Sequence, residues 1–341
     1  MSKKKILSLT YVLLTVTVIV IFAFMDHQIK NIWKTVEKLN INWLICGFIF
    51  MICFWLMDSI ILKYSVISMY KKISLFKSIK IALIGQYYNA VTPFSSGGQP
   101  IQAYYLVKDG IPIGFASSIL TMKFLAYQTV LSFFCLIAML IKSQIVIVNG
   151  LQILWFSLIG FIVHIAAIFL VVLLIVNKTF VVRIVSRLIR LGAKFKFIRH
   201  LEKTEESVKE HLDDFMKSAI FMARNPVKLL SLCLLTLCQL IFYFGITYFI
   251  YRSIGLRQHT IIDIIAIQSF LYLAVSLFPT PGGTGASEGG FYIFFSLIFP
   301  KEVLFISMLL WRLITYYSNI IIGGIFVLVD SISSFRKSEN V

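Results

Sequence analysis

Two polar, glycine-rich interruptions break otherwise apolar stretches of this chain. The first is Thr92-Pro93-Phe94-Ser95-Ser96-Gly97-Gly98-Gln99-Pro100, and the second is Thr280-Pro281-Gly282-Gly283-Thr284-Gly285-Ala286-Ser287-Glu288-Gly289-Gly290. Proline and clustered glycine end helices, so the backbone there is irregular. In hydrocarbon an unpaired N–H or C=O is costly, and irregular backbone survives at membrane depth only where it is buried in protein or lines a wet cavity. A paired interruption in two halves of a membrane chain points to a transport site.

Composition places the chain in a membrane. Of its 341 residues 59% are hydrophobic and 14% charged, with a mean hydropathy of +0.90. The apolar runs are too long for barrel strands, which need only about ten alternating residues. Expected spans are 6–25, 41–62, 111–141, 151–176, 227–251 and 303–329, with half-spans around 79–108 and 260–299. The net charge of +17 follows the positive-inside rule better than a nucleic-acid footprint. With Lys3-Lys4-Lys5 in the cytoplasm, the inside segments 1–5, 63–80, 177–228 and 330–341 hold roughly two-thirds of the Lys and Arg, the outside loops about a fifth. This works only if each glycine-rich region dips in and returns on its own side, with both termini cytoplasmic. The first apolar run follows a basic segment but ends at Phe24-Met25-Asp26 without a small-residue cleavage site, so it reads as a retained anchor. The five cysteines, Cys46, Cys53, Cys135, Cys233 and Cys238, lie in apolar spans and are expected to be buried as small hydrophobes, and no metal, disulfide or cofactor is implied.

The two halves repeat one pattern. A span (41–62 or 227–251) precedes each interruption and a long span (111–141 or 303–329) follows it. From Pro93 to Lys123 is 30 residues and from Pro281 to Arg312 is 31, and each cation has a tyrosine four residues on, Tyr127 or Tyr316. Gln99 follows Pro93 by six residues and Glu288 follows Pro281 by seven. The expected architecture is an all-α polytopic membrane protein with about six full spans plus two re-entrant helical hairpins, about eight hydrophobic segments, in an inverted repeat. Repeat 1 covers about 41–141, repeat 2 about 227–330, within one membrane domain over 1–341. The alternative is two unrelated loops rich in turn residues. Between the repeats, 177–226 forms a basic connector. There Arg183, Arg187, Arg190 and Lys194 recur at helical spacing, either lying on an anionic leaflet or simply marking the cytoplasmic side. Acidic and basic residues alternate over 202–217, as in a solvated helix.

Charges at membrane depth mark functional sites by default. Asp58, Lys123, Glu288 and Arg312 are the candidates. Glu288 sits near a helix start expected at Gly289, whose N–H groups would stabilise a carboxylate. Arg312, with Tyr316 and Asn319 on its face, would bind a phosphate through forked hydrogen bonds or neutralise Glu288. Lys123 would do the same in the first half. Asp58, about a turn from Lys63, is expected at the membrane interface in a structural role, and His164 as a hydrogen-bonded packing residue. The backbone of Thr92, Pro93, Gly97, Gly98, Pro281, Gly282, Gly283 and Gly285 shapes the two hairpins. Gly285-Ala286-Ser287-Glu288-Gly289 fits the G-x-S-x-G form of a hydrolase, but it lacks the strand–turn–helix context and no histidine follows Ser287.

At these two motifs the sequence resembles the transmembrane flippase region of the lysylphosphatidylglycerol synthase family, also called multiple peptide resistance factor. Thr92-Pro93-Phe94 through Gly97-Gly98-Gln99-Pro100 and Pro279-Thr280-Pro281-Gly282-Gly283-Thr284-Gly285 through Glu288-Gly289 carry the resemblance, which extends from about residue 10 to about 330. Many members carry an acidic residue where this chain has Gln99. Bifunctional members continue into a soluble aminoacyl-transferase domain for which a chain ending at Val341 leaves no room, so no enzyme activity is expected.

The resemblance implies a flippase-like transporter of aminoacylated phosphatidylglycerol or a related phospholipid in a bacterial cytoplasmic membrane, with a link to cationic antimicrobial peptide resistance. Membrane lipids are the implied partners, and a separately encoded synthase and a homo-oligomer stay open. Glu288 would face an amine or carry a proton, while Lys123 or Arg312 would face the lipid phosphate. The alternatives are an accessory subunit of lysylphosphatidylglycerol or glycolipid synthesis, and a small-solute secondary transporter.

Overall fold

The computed structural model describes residues 36–149, 151–177, 183, 201–276 and 278–339. The expected span 6–25 and most of the basic connector, including Arg187, Arg190 and Lys194, lie outside these. The described residues are helical: α1 (Ile41–Met69), α2 (Leu75–Val91), α3 (Gly98–Lys108), α4 (Ile113–Asn149), α5 (Leu151–Val176), α6 (Leu201–Ala223), α7 (Pro226–Ser253), α8 (Ile261–Val275), α9 (Ala286–Phe295), α10 (Lys301–Arg312) and α11 (Ser318–Glu339). A π-helical turn, Leu313–Tyr317, joins α10 to α11. Among them five stretches are long and apolar enough to cross a membrane: Ile41–Met69, Ile113–Ile141, Trp155–Leu173, Pro226–Ser253 and Lys301–Ser333. They coincide with five of the six expected spans.

Local chemistry sets the helix starts. Asn40 caps α1 by accepting from the Asn42 N–H, and Asn225 caps α7 from Lys228, with Pro226 in the first turn. Both devices satisfy or remove N–H groups that a helix start leaves over. Thr260 and Asp263 close a reciprocal capping box on α8. α1 and α7 form the central pair and run antiparallel. The Asn40 N–H donates to Ser253 O at one end, and Lys228 Nζ to Ser68 O at the other. Between these ends Phe50 meets Phe242 and Phe249 edge-on, at 5.2 and 4.5 Å. Outward faces stay apolar: on α5, Ile162 and Phe169 are exposed, as on a surface solvated by lipid tails.

Both interruptions are folded-back helical hairpins. In the first, α2 returns as α3, and the backbone freed at the tip is met by neighbouring side chains. Thr92 Oγ1 accepts from the Gly97 N–H and Asn89 Oδ1 from the Gly98 N–H, each at 2.8 Å. In the second, α8 returns as α9 through Gly282, Gly283 and Gly285, whose φ angles of +56°, +66° and +85° suit residues without a Cβ. The feet of the first hairpin adjoin the end of α1, where Lys71 Nζ bonds Asp109 O. Those of the second adjoin the end of α7, where Tyr251 accepts from the Gln258 N–H and packs on Phe299. The hairpins thus enter from opposite ends of the α1/α7 pair, and their tips meet in an antiparallel bridge of Pro93 with Pro281.

The acidic and basic stretch at 202–217 is helical as expected, within α6, and Glu210 and Lys217 are exposed, while the last turns of α6 pack against α4. Met216, Ala219 and Met222 are buried, because their spacing aligns them on one helical face. Of the five free cysteines only Cys135 is buried, and Cys238 is exposed. The first hairpin also rests on α11, where a Cβ on Gly323 would come within 2.6 Å of the Leu83 carbonyl oxygen. Gly323→Val should therefore destabilise the protein by about 1–3 kcal/mol, read as a lower melting temperature in detergent.

Candidate functional site

A cavity of about 430 Å³ lies between the two hairpins, lined by residues from both of them and from the helices around them. Two ion pairs organise its surroundings. Asp58, on α1, lies 2.6 Å from Lys123 Nζ on α4. Gln86 from α2 donates to its Oδ2 at 3.0 Å and Gln239 from α7 to its Oδ1 at 3.3 Å. Four helices therefore converge on one carboxylate that is only 2% exposed. Asp58, expected in a structural role at the membrane interface, is thus buried inside the protein and ion-paired. Lys63 is five residues on, which puts it across the helix from Asp58 rather than beside it.

The second pair joins α10 to the second hairpin. Arg312 Nε donates to Glu288 Oε1 at 2.7 Å, and Nη1 donates to the Gly282 carbonyl at 3.1 Å. Glu288 Oε2 accepts from the Gly285 N–H at 2.7 Å, so the carboxylate caps the start of α9. That start is at Ala286, three residues before the expected Gly289. The Arg312 guanidinium also lies 4.7 Å from the centre of the Tyr316 ring, a favourable cation–π position. Tyr316 in turn donates to the Ala90 carbonyl of the first hairpin at 3.3 Å. Gly282 is what lets the tyrosine in, since a Cβ there would come within 2.1 Å of the ring. One arginine thus ties the second hairpin, its own helix and, through Tyr316, the first hairpin.

Asp58, Lys123, Tyr127, Gln99, Arg312, Tyr316 and Asn319 all line the cavity, as do Gly98, Gly282 and Gly283. Glu288 does not: it is fully buried behind Arg312 and the glycine loop. Thr92, Pro93, Gly97, Pro281 and Gly285 likewise shape the hairpins from outside the lining. The two tyrosines differ in use, since Tyr127 donates to the Tyr272 hydroxyl at 2.7 Å. Asn319 binds across the core to the Trp55 indole at 2.7 Å and back to Thr315 O. The π turn lies between it and Arg312 and breaks the regular helical register on which their shared face was expected. His164 is hydrogen-bonded as expected, to Gln128 at 2.8 Å and Ser276 at 2.9 Å, and it also lines the cavity.

Sequence reasoning missed the amides. Gln86, Gln102, Gln239 and Gln268 all line the cavity, and a glutamine inside an apolar run is a detectable signal, since a buried amide needs partners. Tyr243, Tyr272 and Trp311 were missed for the opposite reason: aromatic residues pass for ordinary core.

A model of the lysylphosphatidylglycerol synthase transmembrane region matches residues 7–323. The chain belongs to this family. All four charged residues of the site fall inside the matched stretch. A UPF0104 membrane protein of Archaeoglobus fulgidus is similar over nearly its whole length: it is 26% identical over 332 residues, which cover 94% of this chain and 96% of the relative. For this family member the buried pair gives a direct stability test. Arg312→Ala leaves the Glu288 carboxylate buried without its cation and should cost about 3–5 kcal/mol, whereas Glu288→Gln combined with Arg312→Met should cost less than Arg312→Ala alone. Thermal unfolding of the purified variants in one detergent checks the order.

Proposed function

We propose that this protein is a flippase-like lipid transporter that moves a phospholipid, aminoacylated phosphatidylglycerol or a related lipid, across a cell membrane. The observation that carries the reading is the cavity's double character. Its interior holds Asp58–Lys123 and Arg312, while its lining also includes Phe94, Val163 and Phe278, which are exposed apolar residues. A phospholipid has the same two characters: its headgroup would occupy the charged interior and its acyl chains would stay among the apolar edges. The volume lies within the ~300–1,000 Å³ range of small-ligand sites and suits a headgroup. Membership of a family named for lysylphosphatidylglycerol synthesis supports a membrane lipid-related role.

In this reading the two halves form an inverted repeat and the hairpins are re-entrant. The antiparallel α1 and α7, each capped by an asparagine, support it. So do hairpin feet at opposite ends of that pair and tips that meet at matching prolines. Rocking of one half against the other would open the cavity to each leaflet in turn. Lys123 and Arg312 face the headgroup. Glu288 acts differently from the first expectation of contact with an amine, since both its oxygens are engaged and its role is to hold Arg312 in place.

Two experiments test the proposal. Asp58→Asn combined with Lys123→Gln removes the first ion pair as a unit and should slow translocation of fluorescent phosphatidylglycerol in proteoliposomes by at least about tenfold, the loss of one charge-assisted contact. Wild-type rates in that variant would remove the pair from the mechanism. In a cysteine-free background, single cysteines at Lys72 and Lys108 should react with an impermeant maleimide from one side of the membrane. Those at Gln258 and Lys301 should react from the other. Lys72 and Lys108 labelling from opposite sides would overturn re-entry of the first hairpin.

A further inference from the structure

The cavity reaches the surface at the tip of the first hairpin, where its lining residues Phe94, Ser95 and Gln99 are exposed. Toward the feet of that hairpin it is shut. Gln102, on the returning leg, also lines the cavity but is buried, and beyond it both legs close against α11. Three positions on α11 follow this seam. Asn319 lines the cavity. One turn on, Gly323 meets α2 so closely that a Cβ there would come within 2.7 Å of Tyr87 Cβ. Seven residues further is Asp330, whose carboxylate accepts from Lys80 Nζ on α2 and from the Tyr105 hydroxyl on α3, the latter at 2.6 Å. The legs keep the same order: Gln86 and Gln102 line the cavity, and Lys80 and Tyr105 stand six and three residues nearer the feet. None of Lys80, Tyr87, Tyr105, Gly323 and Asp330 lines it. At 1.5 Å per residue Asp330 is ~16 Å along the helix from Asn319, so the clamp is a layer of its own.

One carboxylate thus grips both legs of the hairpin. The Lys80 and Asp330 side chains are 32% and 13% exposed. A partly buried ion pair adds little stability for its cost, since apolar side chains of similar volume often hold a seam as well. It differs from an apolar seam in what separation costs, because parted ions regain their hydration and parted apolar faces do not. A seam made this way closes firmly and reopens without a large penalty. The same last span holds the second hairpin through Arg312, and the π turn Leu313–Tyr317 lies between the two grips. Such turns are points where helices bend, so α11 has a place to swing that leaves the Glu288–Arg312 pair intact.

We infer that Asp330, Lys80 and Tyr105 form a gate, closed in this structure, that seals the cavity from the end of the molecule carrying Lys72 and Lys108. The three residues position the first hairpin against α11 and touch no ligand. The gate rests on the lipid-transport reading for its purpose, to which it adds a control point for access from one side.

The test is side-specific labelling of the full chain in a cysteine-free background, in sealed vesicles of each orientation. A single cysteine at Gln102 reports entry through the seam, and one at Gln99 reports entry at the tip. Asp330→Asn should speed reaction of the Gln102 cysteine with an impermeant maleimide from the Lys72 and Lys108 end about five- to tenfold, the loss of one charge-assisted contact. Labelling at Gln99 from the opposite end should become no faster. Tyr105→Phe, which removes a single oxygen, should speed Gln102 labelling about two- to threefold, and it decides the matter if Asp330→Asn does not fold. Exchanging the charges, Lys80→Asp with Asp330→Lys, should bring the rate back to within about twofold of wild type. A contact that serves stability alone would lower the melting temperature and speed labelling at both cysteines alike. That outcome overturns the inference, as does Gln102 labelling that ignores both substitutions. Translocation is measured separately in proteoliposomes. Lipid movement in a protein whose labelling ignores the clamp sinks the gate and leaves transport standing, while one-sided opening in a protein that moves no lipid keeps the gate and sinks the transport reading.

Discussion

Backbone that breaks among apolar helices must find its hydrogen bonds within the protein, and the rest of this structure follows from how that need is met. The first hairpin meets it with neutral side chains, Thr92 and Asn89, that reach across the turn to Gly97 and Gly98. The second meets it with charge. Glu288 takes the Gly285 N–H, and Arg312 takes both the Glu288 carboxylate and the Gly282 carbonyl. A charged solution needs more support than a neutral one, because each ion removed from water must be matched by partners of good geometry. That is why the second hairpin recruits a charged side chain from a helix outside itself, while the first meets the N–H groups of its turn from within.

The sequence made the spans and the breaks legible, because hydropathy and the Pro/Gly clusters report directly on burial and on helix interruption. It was less informative about where helices end. α1 runs to Met69, past Lys63, where the apolar run stops. Hydropathy marks the change in surroundings, while the helix continues until its hydrogen bonding stops at Tyr70. The pairing of charges was only half legible. Glu288 and Arg312 are separated by one short helical connection, and their pairing was one of the two roles expected for Arg312. Asp58 and Lys123 lie on helices separated by the whole first hairpin, so their contact is a product of packing that no local pattern announces.

The two halves also differ in how their cations are held. Lys123 is a point charge met by one carboxylate and flanked by two glutamines that share that carboxylate. Arg312 is planar and distributes its contacts over a carboxylate, a carbonyl and an aromatic face, which fixes its orientation as well as its position. Of the two cations that line the cavity, one is thus a point charge on a single carboxylate and the other is held in a fixed orientation. The amides on the Asp58 side, Gln86 and Gln239, carry no net charge and so leave that difference intact.

The bridge between Pro93 and Pro281 has a mechanical meaning of its own. Proline has no N–H to give, so the two tips touch through residues that can contribute little hydrogen bonding to the joint. Each tip is nevertheless braced, one by Thr92 and Asn89 and the other by the Glu288–Arg312 pair. Two separately braced arms therefore meet at a joint to which neither tip proline donates a hydrogen bond.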